Sequence, residues 1–149
     1  MKKTAKRIVT ALAAIMLATV AFAQNASELF KAVQNNDLAQ VQWLIDTGVD
    51  VNARDRVLDT ALMIAARKNS AEVAKVLIAE GADVNARNID GETALIGAGW
   101  FKAIDTVKLL IASGANVNAT DNNGYTALMH ASQYNAVDIA KLLIAAGIR

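Results

Sequence analysis

The sequence of 149 residues contains no cysteine and no proline, and it contains a single histidine. Without cysteine, the chain can form no disulfide scaffold, thiolate metal site, cysteine nucleophile or redox sensor. One histidine excludes a histidine-rich metal centre. The formal net charge of +1 offers no strong field to a nucleic acid. The hydrophobic fraction of 54% is too high for a disordered chain, so a folded domain of ordinary size remains.

The first 23 residues have the three-part pattern of an export signal peptide. A basic start (2–7) precedes an uncharged run (8–20) and the small-x-small triplet Ala21-Phe22-Ala23. The run is shorter than the about 20 residues that a membrane-spanning helix needs. We therefore expect cleavage after Ala23 rather than a retained membrane anchor or an ordinary buried helix. The double-lysine start is typical of bacteria, which predicts a periplasmic protein, or a secreted one if the source has no outer membrane.

Cleavage would leave a mature domain of residues 24–149 with a different charge. Four of the 15 basic residues lie in the leader, leaving 11 basic against 14 acidic side chains. A mildly acidic chain is a poor partner for nucleic acid or for an anionic membrane. The lack of cysteine suits an oxidising compartment. We therefore expect no contact with nucleic acid, and none with a membrane after cleavage.

A spacing of 33 residues organises the rest of the chain. A glycine, an asparagine, a Thr-Ala-Leu phrase and a Leu-Ile pair all recur at this spacing. These positions are Gly48, Gly81, Gly114 and Gly147; Asn52, Asn85 and Asn118; Thr60, Thr93 and Thr126; and Leu44, Leu77, Leu110 and Leu143 with the isoleucine after each. Such repetition predicts supersecondary units that bury their apolar faces only by stacking.

Each unit is predicted to contain two helices and a finger. In the third unit Thr93 is a good N-cap for the first helix. Gly114 ends the second helix in the left-handed conformation. The turn dipeptides Asp90-Gly91 and Asn123-Gly124 predict β-hairpin fingers between units. The expected fold is an all-α repeat solenoid of helix-turn-helix units joined by β-hairpin fingers.

The segments 90–95 (DGETAL) and 77–86 (LIAEGADVNA) closely resemble the ankyrin repeat. The resemblance covers about residues 26–149, as four units near 26–53, 54–86, 87–119 and 120–149. It implies a protein that recognises other proteins through its finger tips and the exposed side of the first helices. The first unit lacks the Thr-Ala-Leu phrase and carries polar residues, as an N-terminal cap should.

The sequence departs from the family pattern at three places. Ala61, Ala94 and Ala127 stand where the family usually has proline. The residues where it usually has histidine are Met63, Ile96 and Met129. The last helix keeps the apolar composition of an internal repeat. Its end face would be covered by Ile148 or by another chain, so self-association through the C-terminal end is left open.

No constellation for catalysis or metal binding is found in the sequence. His130 is the only imidazole, and the acidic residues follow no calcium-loop pattern. The segment Gly97-Ala98-Gly99 lies inside a predicted helix and is no phosphate loop. Because glycine is costly there, we expect another element to approach the helix closely. We predict no enzymatic activity, cofactor or metal.

The predicted partner-binding residues are mainly apolar or aromatic residues at repeat positions that are expected to face solvent. Val57 and Leu58 occupy a finger tip where later units have turn dipeptides. Aromatic residues stand at variable positions that end the first helices. The predicted set is Arg56, Val57, Leu58, Met63, Arg67, Ile89, Trp100, Phe101, Tyr125, Met129 and Tyr134. The alternative is that Trp100 and Phe101 pack between units as core. Trp43 aligns with Val76, Leu109 and Leu142 and is predicted to be core.

The function expected from these features is a non-enzymatic, periplasmic protein-binding scaffold. The resemblance to exported bacterial ankyrin proteins implies either a helper of an oxidative-stress enzyme such as catalase or an inhibitor of toxic effectors. Two other classes compete. A small-molecule or haem carrier would need a closed apolar pocket or an axial ligand, and only His130 and the methionines could serve. A structural protein would polymerise through the C-terminal end.

Overall fold

The structure is a computed structural model that describes residues 2–147, with side chains at all of these except residue 2 and residues 19–24. Eight helices lie in the described part. They are α1 (Lys2–Gln34), α2 (Leu38–Asp46), α3 (Ala61–Arg67), α4 (Ala71–Ala79), α5 (Ala94–Trp100), α6 (Ile104–Ala112), α7 (Ala127–Gln133) and α8 (Val137–Ala145).

Helix α1 combines the predicted leader with the first helix of the first unit. Its last turns bury Leu29, Ala32 and Val33 in the core. In contrast, the apolar side chains of Ile8 and Leu12 in the leader are exposed. Within residues 2–147 no helix combines the length and apolar character needed to cross a membrane. The side chains of the predicted cleavage triplet lie outside the described part, and cleavage stays a prediction.

Threonine starts each of the three short inner helices α3, α5 and α7. The hydroxyl of Thr60, Thr93 and Thr126 accepts the backbone N–H three residues further on, at 3.3 Å in each case. This bond satisfies one of the N–H groups that a helix leaves free at its start. The predicted N-cap role of Thr93 is thereby confirmed, and the Thr-Ala-Leu phrase marks the start of an inner helix.

The helices form two layers. The inner layer contains the end of α1 followed by α3, α5 and α7, and the outer layer contains α2, α4, α6 and α8. Each helix packs against its neighbours in the same layer and against the other helix of its unit. The leucines of the Leu-Ile pairs fill the space between the layers, with Leu77 and Leu110 completely buried. The predicted all-α repeat solenoid is confirmed.

The predicted β-hairpins of the fingers are not confirmed. Within residues 2–147 the only pairing of strand type is an isolated bridge between Thr120 and Thr126. Side chains close the finger tips instead. Asp55 Oδ1 accepts the backbone N–H groups of Val57 and Asp59, both at 2.9 Å. Asn88 and Asp121 at the equivalent positions do the same. Because the side chain satisfies these N–H groups, the turn needs no strand ladder.

Asparagine side chains join successive units at the base of the fingers. Asn52 Nδ2 donates to the carbonyl of Gly81 at 3.0 Å, and its Oδ1 accepts the N–H of Asp83 at 2.8 Å. Asn85 makes both bonds to the following unit, at 3.3 and 2.8 Å. Each side chain therefore satisfies a carbonyl at a helix end and sets the distance between two units. This explains why asparagine recurs at the repeat spacing.

The left-handed residues after the inner helices also recur at this spacing. They are Asn36, Asn69, Lys102 and Asn135, with φ between 53° and 58°. Asn69 has a second role, because its Oδ1 accepts the backbone N–H groups of Asp105 and Thr106 at 3.1 and 3.2 Å. It thus caps helix α6 of the next unit. Lys102 has no side-chain oxygen, so its side chain cannot cap α8 in the same way.

The glycines in helix α5 allow close approach, as the sequence predicted. A Cβ on Gly99 would lie 2.9 Å from the carbonyl oxygen of Ala127 in α7. A Cβ on Gly97 would lie 3.2 Å from Cγ of Arg67 in α3. The first neighbour is rigid backbone and the second is a flexible stem. The two glycines therefore differ in how well they should tolerate a methyl group.

The prediction that Trp43 belongs to the core is wrong. Its side chain is 57% exposed, whereas Val76, Leu109 and Leu142 at the same repeat position are half-buried. Those three residues lie in units that follow another unit, whose outer helix packs beside them. Among the described residues no unit precedes α2. The same residue position is thus covered or exposed according to its place in the stack.

At the C-terminal end of the stack, residue positions that internal units bury are exposed. Met63 and Ile96 are buried beneath the following unit, but Met129 at the same position is 50% exposed. Ile144 is exposed in the same way. Ile148, one of the two alternatives for covering this face, lies outside the described residues. The described part therefore ends in an apolar face.

We expect Gly99→Ala to destabilise the domain by about 1–2 kcal/mol, because steric strain against the Ala127 carbonyl exceeds the gain in helix propensity. Gly97→Ala is the matched control. The flexible Arg67 stem can move there, so the strain and the propensity gain should nearly cancel. Urea unfolding of both variants measures the difference. Equal stability of the two variants would contradict the tight approach of α5 and α7.

Candidate functional site

Two hollows lie between the fingers and the inner helices. The first hollow, of about 590 Å³, is lined by Asp55, Asp59, Arg67, Lys68 and Phe101, among others. The second hollow, of about 430 Å³, lies between the next two fingers and is lined by residues of α5 and α7 and by the fingers 88–92 and 121–125. Five of the predicted partner-binding residues line these two hollows: Arg67, Phe101, Trp100, Tyr125 and Tyr134.

An ion-pair network occupies the first hollow. The Arg67 guanidinium donates to both carboxylate oxygens of Asp59, at 2.5 and 2.8 Å, and to Glu92 of the next finger at 3.3 Å. Asn88 also donates to Asp59, at 2.9 Å. This two-pronged geometry is the strong form of an arginine–carboxylate pair. The network ties α3 to two successive fingers.

The network also shifts the pKa values of its members. Burial of Asp59 removes water and acts to raise its pKa, but the hydrogen bonds from Arg67 and Asn88 and the guanidinium charge together hold the pKa below its usual value. The bond to Asp59 raises the pKa of Arg67 further. Both groups therefore stay charged, and the Arg67 charge is balanced inside the protein.

Aromatic rings gather in the second hollow. Trp100, at the end of α5, stacks on the His130 imidazole with ring centres 4.9 Å apart and an angle of 11°. Tyr134 and Phe101 stack beside Trp100 at 5.8 and 6.3 Å. The ring centre of Tyr125, which lies on the finger 121–125, is 5.4 Å from the ring centre of His130. The cluster joins two inner helices and one finger, and His130 is its buried centre.

A carboxylate holds the His130 ring in place. Burial acts to raise the pKa of Asp121, yet the backbone N–H of Tyr125, the His130 ring and the backbone N–H of Asn123 bring that pKa below its usual value. An ionised carboxylate can only accept hydrogen bonds, so Nε2 of His130 carries the proton that it donates to Asp121 over 3.0 Å. Nδ1 of His130 is buried and has no partner among the described residues.

The comparison with protein families agrees with this architecture. The sequence model of the family described as "Ankyrin repeats (3 copies)" matches residues 29–121 and 103–149. The chain belongs to the ankyrin repeat family. No curated protein is significantly similar to the chain in sequence. Ankyrin repeats generally mediate protein–protein interaction, so the face formed by fingers and inner helices is the candidate protein-binding site.

Most of the predicted partner-binding residues are exposed on this face of the ankyrin stack. Trp100 is 38% exposed and Phe101 is 58% exposed, so the alternative that these rings are core is wrong. The other large side chains of the set that are exposed on the fingers and at the end of α7 are Val57, Leu58, Ile89, Tyr125 and Tyr134. Arg56 is also exposed at the finger tip.

Three members of the predicted set lie elsewhere or are already engaged. Met63 is only 2% exposed and belongs to the core, because the next ankyrin unit covers it. Met129 is exposed at the C-terminal end and does not line either of the two hollows. The Arg67 guanidinium is bound by Asp59 and Glu92. Met63 is therefore removed from the candidate site.

The acidic residues and the histidine that build the second hollow are not among the predicted site residues. His130 aligns with Ile64 and Gly97, so a polar ring at this position already departs from the repeat. That departure was the available signal. Its pairing with Asp121, nine residues away, became visible only in the structure. Because Nε2 is engaged and the ring is buried, His130 offers no ready axial ligand for the haem-carrier alternative.

Leu58 has the backbone conformation of a glycine. Its φ is +62°, in the register where the other two fingers have Gly91 and Gly124. A side chain in the left-handed region costs about 1 kcal/mol or more. Although the backbone of Leu58 is strained, its side chain is 42% exposed and contributes little to the core. Such a combination of strain and exposure points to a role in contact with another molecule.

We expect Arg67→Ala to cost about 3 kcal/mol of unfolding free energy, because it leaves the Asp59 carboxylate buried without its cation. Lys68→Ala is the matched control on the next residue. Lys68 is exposed, and its loss should cost less than about 0.5 kcal/mol. Chemical denaturation measures both. A loss for Arg67→Ala no larger than for Lys68→Ala would show that the network does not stabilise the fold.

Acid should weaken the domain through Asp59 and Asp121. The folded protein lowers both pKa values, so their contribution to stability is complete above the usual aspartate pKa of about 4 and is lost as the pH falls through the lowered values. The double variant Asp59→Asn, Asp121→Asn should have a flatter profile of unfolding free energy below that pH. An unchanged slope would contradict this assignment.

Proposed function

We propose that this ankyrin protein is an exported, non-enzymatic binding protein that holds a partner protein against its fingers and inner helices. The observation that carries this proposal is the row of exposed apolar and aromatic side chains on one face: Val57, Leu58, Ile89, Trp100, Phe101, Tyr125 and Tyr134. Exposed apolar side chains grouped in this way mark an interaction site. Tryptophan and tyrosine are the side chains that most often anchor an interface.

The rigidity of the face supports the proposal. The Asn52 and Asn85 bridges set the spacing of the units, and the Arg67 network ties two fingers to α3. Ile89 N–H also donates to the Val57 carbonyl at 3.0 Å, which joins two finger tips. A surface held in this way loses little conformational freedom on binding, which favours affinity.

The leader pattern supports an activity outside the cytoplasm. We propose the periplasm as the location, or the exterior if the source has no outer membrane. The partner would then be another exported protein. Help for an oxidative-stress enzyme and inhibition of a toxic effector are the two roles that the family resemblance suggests. The identity of the captured partner distinguishes them.

The first test is affinity capture from periplasmic extract with a triple variant, Leu58→Ala, Trp100→Ala, Tyr134→Ala. We expect the natural protein to retain a partner and the variant to lose it, because the variant removes three exposed anchors. Its thermal transition should stay nearly in place. The matched control is Trp43→Ala, Val137→Ala, Ile144→Ala, which removes three exposed apolar side chains outside the site. Equal capture by all three proteins would contradict the proposed site.

Leu58→Gly separates binding from stability. Glycine adopts a φ of +62° without strain, so the variant should be about 1 kcal/mol more stable. It should also hold the partner more weakly, because it removes an exposed apolar anchor. Denaturation and a binding titration with the captured partner measure the two effects. A variant that gains stability and binds equally well would remove Leu58 from the interface.

A second candidate function rests on the C-terminal end of the stack. Met129 and Ile144 are exposed where internal units bury or half-bury the same positions. Association of copies through this face is the alternative function, and it predicts a mass in solution that rises with concentration. A constant mass of one chain would exclude it.

A further inference from the structure

The second hollow has an unusual chemical composition. Its charged side chains are the three carboxylates of Asp90, Glu92 and Asp121, and its walls include the rings of Trp100, Tyr125 and Tyr134. No lysine or arginine lines it in the described part of the chain. The first hollow, in contrast, contains Arg67 and Lys68 beside its acidic residues. Negative charge is therefore concentrated in the second hollow.

The three carboxylates differ in how many hydrogen bonds they already accept. Asp121 has both oxygens occupied, since Oδ1 accepts two backbone N–H groups and Oδ2 accepts His130. Glu92 accepts a longer bond from Arg67, at 3.3 Å, and that guanidinium is shared with Asp59. Asp90 is exposed at the finger tip. Arg67 is thus shared between Asp59 and Glu92, and the exposed Arg87 guanidinium beside Gly91 is a second cation near this site. The carboxylates of Asp59, Asp90, Glu92 and Asp121 outnumber these two cations, so a negative surplus remains.

The aromatic walls provide a second attraction for a positively charged ligand. Trp100, Tyr125 and Tyr134 all expose part of their rings to solvent. The face of an aromatic ring carries a negative quadrupole and attracts a cation, most strongly at tryptophan. Nδ1 of His130 also has no hydrogen-bond partner in the described part, but it is buried beside these rings. The carboxylates and the exposed ring faces together favour a ligand that carries positive charge and donates hydrogen bonds.

We infer that the second hollow receives an arginine side chain of the partner protein. A guanidinium is planar, so it can stack on an aromatic ring while its edge donates to carboxylates. An ammonium group lacks the planar surface, and a lysine should therefore bind more weakly. This inference rests on the proposed function and names the chemistry by which the partner is recognised: an exposed arginine set in an apolar surface.

The test uses a single side chain as probe and the two tryptophans as reporters. N-acetylarginine amide is titrated into the purified protein, and the indole N–H signals of Trp100 and Trp43 are followed by NMR. N-acetylcitrulline amide is the matched control ligand, because it has almost the same shape without the charge. We expect the Trp100 signal to shift saturably with the arginine derivative only. Trp43, on the far end of the stack, should not respond.

Charge variants identify the source of the attraction. Asp90→Asn keeps the size of the side chain and removes an exposed charge, and it should raise the Kd of the arginine derivative about threefold. Asp138→Asn on the outer helix α8 is the matched control and should leave the Kd unchanged. Higher salt should weaken binding to the natural protein. An equal Kd for Asp90→Asn and the natural protein would show that the finger charge takes no part.

Equal shifts with the arginine and citrulline derivatives would overturn the inference, as would shifts of Trp43 as large as those of Trp100. So would the absence of any Trp100 shift at about 0.1 M ligand, a hundredfold above a millimolar Kd. The inference and the proposed function fail separately. Capture of a partner without arginine selectivity overturns the inference alone. Selective arginine binding without capture of any partner protein overturns the proposed function alone.

Discussion

The structure depends on one constraint: a unit of two short helices cannot bury its own apolar faces, so the neighbouring unit must cover them. Burial at a given repeat position is therefore decided by the stack. Met63 and Ile96 lie under the next unit, and Met129 does not. Trp43 is exposed because, in the described part, no outer helix of a preceding unit packs beside α2. The spacing between units follows from the same constraint, since the close approach of α5 to Ala127 leaves no space for a Cβ at Gly99.

Polar side chains make this stacking precise. The asparagines at the base of the fingers bond to the neighbouring unit, and the residues at the finger tips close their own turns. Because these bonds satisfy backbone groups that a strand ladder would otherwise take, the fingers keep their shape without forming sheets. The result is a stiff face on which side chains from separate units stand at fixed distances. Binding specificity can then be set by few residues.

The candidate site lies where the sequence departs from its own repeat. Leu58 replaces the glycine of the other fingers, Trp100 replaces an arginine, and His130 replaces an isoleucine or a glycine. Each of these residues breaks the regular pattern of the repeat. Leu58 is strained, and the His130 ring is buried with one nitrogen unpaired. A chain under selection for stability alone has no reason to keep such features, whereas a chain that recognises a partner does.

The sequence by itself determined the architecture: the repeat spacing, the threonine caps and the helix-ending glycines are local features, and each is read from neighbouring residues. It also indicated most of the exposed face. Only the tertiary structure decided that Met63 is core, that Trp43 is exposed and that Arg67 is bound to Asp59 and Glu92. It also showed how His130 and Asp121 build the second hollow. The physical reason is that burial and ion pairing depend on which unit lies beside a residue, and a repeating sequence gives the same local pattern whether a neighbour is present or not.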